Sequence, residues 1–83
     1  MRQFLQETNH VYDGIQQVYK FENGWGASVI KHSYSYGGSD GLYELAVLDT
    51  EGDLCYTTDI TDDVLGRLEW KDVVHTLERI QKL

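Results

Sequence analysis

The sequence predicts an α+β fold: a three- to four-stranded antiparallel β-meander with a C-terminal amphipathic helix packed on one face, in one domain spanning residues 1–83. Three observations predict it. The dipeptide Asn23-Gly24 separates two strand-like runs, an apolar run ends in the turn residues Thr50-Glu51-Gly52-Asp53, and the hydrophobic period changes after Glu69.

The first strand runs from Ile15 to Glu22, with partial alternation of apolar and polar residues. Asn and Gly tolerate the positive φ that a type I′ turn demands at both central positions. A two-residue turn at Asn23-Gly24 pairs Glu22 with Trp25, Val18 with Val29 and Gln17 with Ile30. Directly opposed residues share a face. Ile15, Tyr19, Phe21, Ile30, His32 and Tyr34 then form the expected core face, while Val18, Trp25, Ala27 and Val29 fall on a mixed one.

Leu42 to Leu48 is apolar on both faces, as a central strand should be. A loop centred on Glu51-Gly52 returns the chain as a fourth strand, Leu54 to Thr58, pairing Val47 with Tyr56. Trp70, Val73, Val74, Leu77 and Ile80 recur at helical spacing and mark one apolar stripe. Gly66 breaks the pattern before them, which places a separate short turn at Asp62 to Leu65, capped by Thr61 or Asp59. Glu69 is a poor N-cap, so the start of the long helix is open. Phe4, Leu5 and Val11 dock the N-terminal stretch as a short helix or an edge strand.

Charge is uneven. Between Asp40 and Asp72 stand ten carboxylates, opposed only by Arg67 and Lys71, in a chain of net charge −7. Such a segment repels phosphate backbones and attracts basic surfaces, so the expected partner is a protein and direct nucleic-acid binding is not expected. Cys55 is the sole cysteine and reads as a small core residue in a reducing compartment. No apolar run reaches the roughly 20 residues of a membrane span, and Met1 to His10 lacks the apolar region of a signal peptide. The expected location is cytoplasmic.

The glycine-rich stretch Gly37-Gly38-Ser39-Asp40-Gly41 lacks the lysine and following helix of a phosphate loop, and reads as a strand connection. Asp49-x-Glu51-x-Asp53 begins like a calcium loop, but Leu54 and Ile60 stand where glycine and a bidentate glutamate belong. His10, His32, His75 and Cys55 have no zinc-ligand spacing. His32 reads as a structural histidine and His75 as exposed. No local signature marks a nucleophile, so no catalytic residue, cofactor or metal is expected. Tyr34, Tyr36 and Tyr43 flank the glycine stretch, and exposed aromatics beside acidic groups make protein-contact surfaces.

The stretches "YKFENGWGASVIKH", "YGGSDGLYELAVLD" and "LEWKDVVHTLERI" resemble those of small proteins encoded by bacteriophages and prophages. That resemblance implies a bacterial host cell and an accessory role in infection, and it carries over no active-site residues. The expectation is a non-enzymatic accessory protein that binds and inhibits a host or phage protein, in its sharpest form a basic nucleic-acid-handling one. Asp40, Glu44, Asp49, Glu51, Asp53, Asp59, Asp62 and Asp63 would supply the electrostatics, with Trp25, Tyr36 and Tyr43 as anchors. The alternative is an assembly subunit that homo-oligomerises, as a homodimer in the simplest case, through a sheet edge or helix flank.

Overall fold

In a computed structural model, which describes residues 1–83, the elements follow in the order β1 (Leu5–Val11), β2 (Gly14–Lys20), β3 (Gly26–Lys31), β4 (Tyr43–Leu48), β5 (Leu65–Leu68) and α1 (Trp70–Ile80). The strands lie side by side in chain order, each antiparallel to the next. Fold class and terminal helix are those predicted, and the meander has five strands rather than three or four. No helix is long and apolar enough to cross a membrane.

The β2–β3 hairpin corrects the predicted register. Phe21 N–H donates to Trp25 O at 2.8 Å, and Gly24 N–H to Phe21 O at 3.0 Å. The loop is therefore Glu22-Asn23-Gly24, three residues, with the left-handed φ of +90° on Gly24 alone. The Asn23 side chain holds this loop open. Its Oδ1 accepts from Trp25 N–H at 3.0 Å, and its Nδ2 donates to Ile80 O at 3.0 Å at the end of α1. One added loop residue moves every pair by one, so Tyr19 faces Ala27 and Gln17 faces Val29. A slip of one residue exchanges faces. Ala27 and Val29 thus join Tyr19 and Phe21 in the core, and Ile30 turns to the open face beside Gln16 and Glu44.

The core lies between that face and α1. Tyr19, Phe21, Ala27, Val29, Leu45 and Val47 from the sheet meet Val73, Leu77 and Ile80 from the helix, with Ile60 closing one side. Each fully buried aliphatic chain contributes about 1.5–3 kcal/mol, so the three helix residues alone rival the net stability of a small domain. Trp70 departs from the predicted stripe: it opens the helix, overhangs the sheet and stays 43% exposed, its ring 5.3 Å from Tyr43. Glu69 proves to be the N-cap, and Asp72 three residues on completes a capping box with it, its Oδ2 accepting from Glu69 N–H at 3.2 Å.

The predicted fourth strand at Leu54 to Thr58 shrinks to one bridge, Leu48 with Leu54, followed by Cys55 N–H donating to Val47 O. Beyond it the chain leaves the sheet, and Ile60 enters the core. The free flank of β4 is taken instead by β5, where Leu65 opposes Leu45 and Leu68 opposes Tyr43. These leucines continue the helix-covered face, whereas Tyr56 and Thr57 are polar and exposed. The turn expected at Asp62 to Leu65 is thus replaced by loop and strand, with Thr61 Oγ1 accepting from Asp63 N–H. Cys55 is half-buried against the core rather than inside it. The N-terminal stretch forms both a 3-10 turn, Arg2–Phe4, and an edge strand.

Candidate functional site

Two connections meet at one end of the sheet. The first is the β1–β2 turn, Val11 opposed to Gly14 with Tyr12 and Asp13 between them. Tyr12 has φ +54°, a conformation unfavourable for a bulky residue. Gly14 permits the close approach of β3, because a side chain there would collide with Lys31 O. The second connection runs from His32 to Leu42, between β3 and β4.

Asp13 joins the two. Its Oδ1 accepts from Ser33 N–H at 2.9 Å. The Ser33 backbone N–H and then its hydroxyl hold the Asp13 carboxyl below its ordinary value of 3.8. Next along the chain, His32 is buried, and its Nδ1 accepts from Tyr34 N–H at 3.1 Å. Buried Ser35 both accepts from His32 N–H and donates to His32 O. A Cβ on Gly38 would stand 1.7 Å from His32 O, so only glycine fits under this turn. The glycine stretch therefore serves as a strand connection, as predicted, and is folded tightly on itself through Gly38 N–H to Ser35 O and Leu42 N–H to Gly37 O.

Within the connection His32 and Ser35 are buried and bonded to each other, whereas the tyrosine rings lie exposed. Tyr12, Tyr34 and Tyr36 are 76%, 77% and 66% exposed. The Tyr12 ring lies 5.0 Å from His32 and 5.0 Å from Tyr34, the latter edge-to-face at 74°. Tyr36 is fixed by its backbone: its N–H donates to Glu44 Oε1 at 2.9 Å and its carbonyl accepts from Arg67 N–H at 3.2 Å. Beside the rings lies a shallow polar cleft of about 500 Å³ lined by Asp13, His32, Ser33 and Ser39 among others.

Of the anchors predicted from sequence, Tyr36 stands at this end. Tyr43 is half-buried between Trp70 and Lys31, whose Nζ lies 4.8 Å over its ring. Trp25 is half-buried against the core at the other end of β3. The acidic residues are not assembled into one face. Asp40 pairs with Arg67 at 2.8 Å and Glu44 holds Tyr36, both at the tyrosine end. Asp49 lies beyond the far end of β4, about 17 Å along the strand. There it accepts from Glu51 and Asp53 N–H groups and shapes its own turn. Glu51 and Asp53 are exposed in that turn, and Asp59, Asp62 and Asp63 are exposed in the connection to β5.

The sequence reading passed over Tyr12 and Asp13. Asp13-Gly14 is a hairpin signal in its own right, although the observed turn is Tyr12-Asp13, one residue earlier, with Gly14 already in β2. That this turn lies against His32 and Tyr34 follows only from strand order. Comparison of the chain with protein-family models, with curated proteins and with solved structures finds no match.

Proposed function

We propose that the protein is a non-enzymatic binding module that engages a protein partner through its tyrosine end, as a phage-encoded accessory factor inhibiting a basic, nucleic-acid-handling protein in the bacterial cytoplasm. One observation carries the reading: three tyrosines are displayed to solvent on two adjoining connections, the second of which is held by the bonds of His32, Ser35 and the Tyr36 backbone. Rigid exposed tyrosines are favoured contact anchors, since they bring large area at little entropic cost. The charge of −7 adds a field that draws basic surfaces in.

Ser33, His32 and Asp13 have the composition of a hydrolytic triad but not its wiring. Asp13 binds Ser33 rather than the imidazole, and the His32 Nδ1 lone pair is taken by Tyr34 N–H. A triad needs the carboxylate on the histidine and the histidine on the nucleophile.

The test is capture of partners from bacterial lysate by three forms of the protein. The Tyr12→Asn/Tyr34→Ser double variant should lose the partner while keeping its unfolding midpoint. The Glu51→Lys/Asp53→Lys variant should keep it, with slower association and a shallower salt dependence. A partner held equally by the tyrosine variant would overturn the proposal. The unpaired outer edge of β1 supports a second reading, self-assembly through that edge. A dimer mass in solution that Thr8→Pro abolishes would favour it.

A further inference from the structure

Building on the tyrosine end as the contact surface, we propose that it recognises an arginine side chain of the partner, the guanidinium lying on the Tyr12 and Tyr34 rings with its N–H groups on the Asp13 carboxylate. The juxtaposition is built by the fold. Asp13 follows Tyr12 in the β1–β2 turn, and Ser33, which it binds at 2.9 Å, precedes Tyr34. The rings meet edge-to-face at 5.0 Å and are three-quarters exposed, which leaves aromatic surface open to a planar cation.

The carboxylate is suited to the role. Asp13 is exposed, and its bonds to Ser33 lower its pKa from the ordinary value, which favours the charged form. A carboxylate offers about four acceptor positions, and the Ser33 N–H, the Ser33 hydroxyl and the N–H of Asp13 itself take three of them, which leaves room for an incoming donor. Lys31, which lines the same cleft, has its ammonium over the Tyr43 ring, and His32, the basic group that acts on Asp13, is buried with its Nδ1 taken by Tyr34 N–H. An anionic ligand would meet Asp13 directly, and an apolar one would strip its water without replacing the bonds. Arginine is favoured over lysine because a flat fork can stack on a ring and bond a carboxylate in the same pose, whereas an ammonium is a hydrated point charge.

The experiment titrates end-blocked Gly-Arg-Gly, Gly-Lys-Gly and Gly-citrulline-Gly peptides at fixed ionic strength, following tyrosine ring and backbone resonances by NMR. The arginine peptide should give saturable shifts at Tyr12, Asp13 and Tyr34, with lysine roughly threefold weaker or more and neutral citrulline weaker still. Asp13→Asn keeps an oxygen for Ser33 and removes the charge, so it should erase the preference of arginine over citrulline. Tyr12→Asn keeps the turn, because Asn tolerates positive φ, and should weaken arginine binding roughly threefold. Equal shifts from arginine and citrulline, or shifts centred on Glu51 and Asp53, would overturn the inference. Should partner capture depend on the tyrosines while the peptides fail, the ligand chemistry falls and the contact surface stands. Should capture ignore the tyrosines, both fall.

Discussion

Placing aspartate at Val29 or at Ile30 tests the hairpin register. Val29 is 1% exposed, opposes Leu45 and belongs to the core cluster. A carboxyl there must be protonated to stay buried. Raising it from an ordinary value near 3.9 to remain neutral at pH 7 costs about 4 kcal/mol, at 1.36 kcal/mol per unit. Two lost methyl groups add about 1.6 kcal/mol. The sum, about 6 kcal/mol, falls within the roughly 4–12 kcal/mol range of total stability for a domain of this size. Ile30 is half-buried on the open face and opposes Glu44. Aspartate there keeps its water and loses about 2 kcal/mol of apolar contact, plus about 0.5 kcal/mol of repulsion from Glu44. Urea unfolding followed by tryptophan fluorescence at pH 7 and pH 5 separates them. A buried acid has a raised folded pKa, so its penalty shrinks as pH falls. Val29→Asp should recover about 3 kcal/mol between pH 7 and pH 5, and Ile30→Asp little. The two-residue turn read from sequence gives the opposite ranking. Ile30→Asp proving the more damaging would refute the three-residue loop and the core built on it.

Tyr12→Asn should leave stability unchanged or raise it by up to about 1 kcal/mol, because asparagine accepts the φ of +54° that tyrosine resists; a loss above about 1 kcal/mol in thermal unfolding would mean that the ring packing outweighs the strain. Gly38→Ala pushes a methyl against His32 O and should cost about 1–3 kcal/mol, with faster amide hydrogen exchange at Ser35 and Tyr36 as the local sign. Asp13 has a lowered folded pKa, so its contribution is present above pH 3.8 and is lost as pH falls through the folded value. Acid titration of Asp13→Asn should therefore show a flatter loss of stability below pH 4 than the parent, and identical slopes would remove Asp13 from the acid response.

Local pattern alone determined a good deal. The stripe through Trp70, Val73, Val74, Leu77 and Ile80 needs only the period of a helix, and the structure buries Val73, Leu77 and Ile80 completely while Val74 is half-buried and Trp70 exposed. Asn23-Gly24 marked a hairpin, and Gly24 does carry positive φ. The run into Leu48 announced a central strand, and β4 has neighbours on both sides. What sequence left undecided depends on contacts between distant residues. The Asn23-Gly24 loop takes a third residue, which decides which face Ala27 and Val29 take, and its Asn23 side chain is tied to Ile80 O, 57 residues away. The choice of Leu65–Leu68 over Leu54–Thr58 beside β4 turns on which segment adds leucines to the face under α1. The acidic residues are close in sequence, yet a strand is stiff and extended, so β4 holds Asp40 and Glu44 apart from Asp49, Glu51 and Asp53. Tyr12 and Tyr34 are 22 positions apart and become neighbours because antiparallel strands return their connections to the same end.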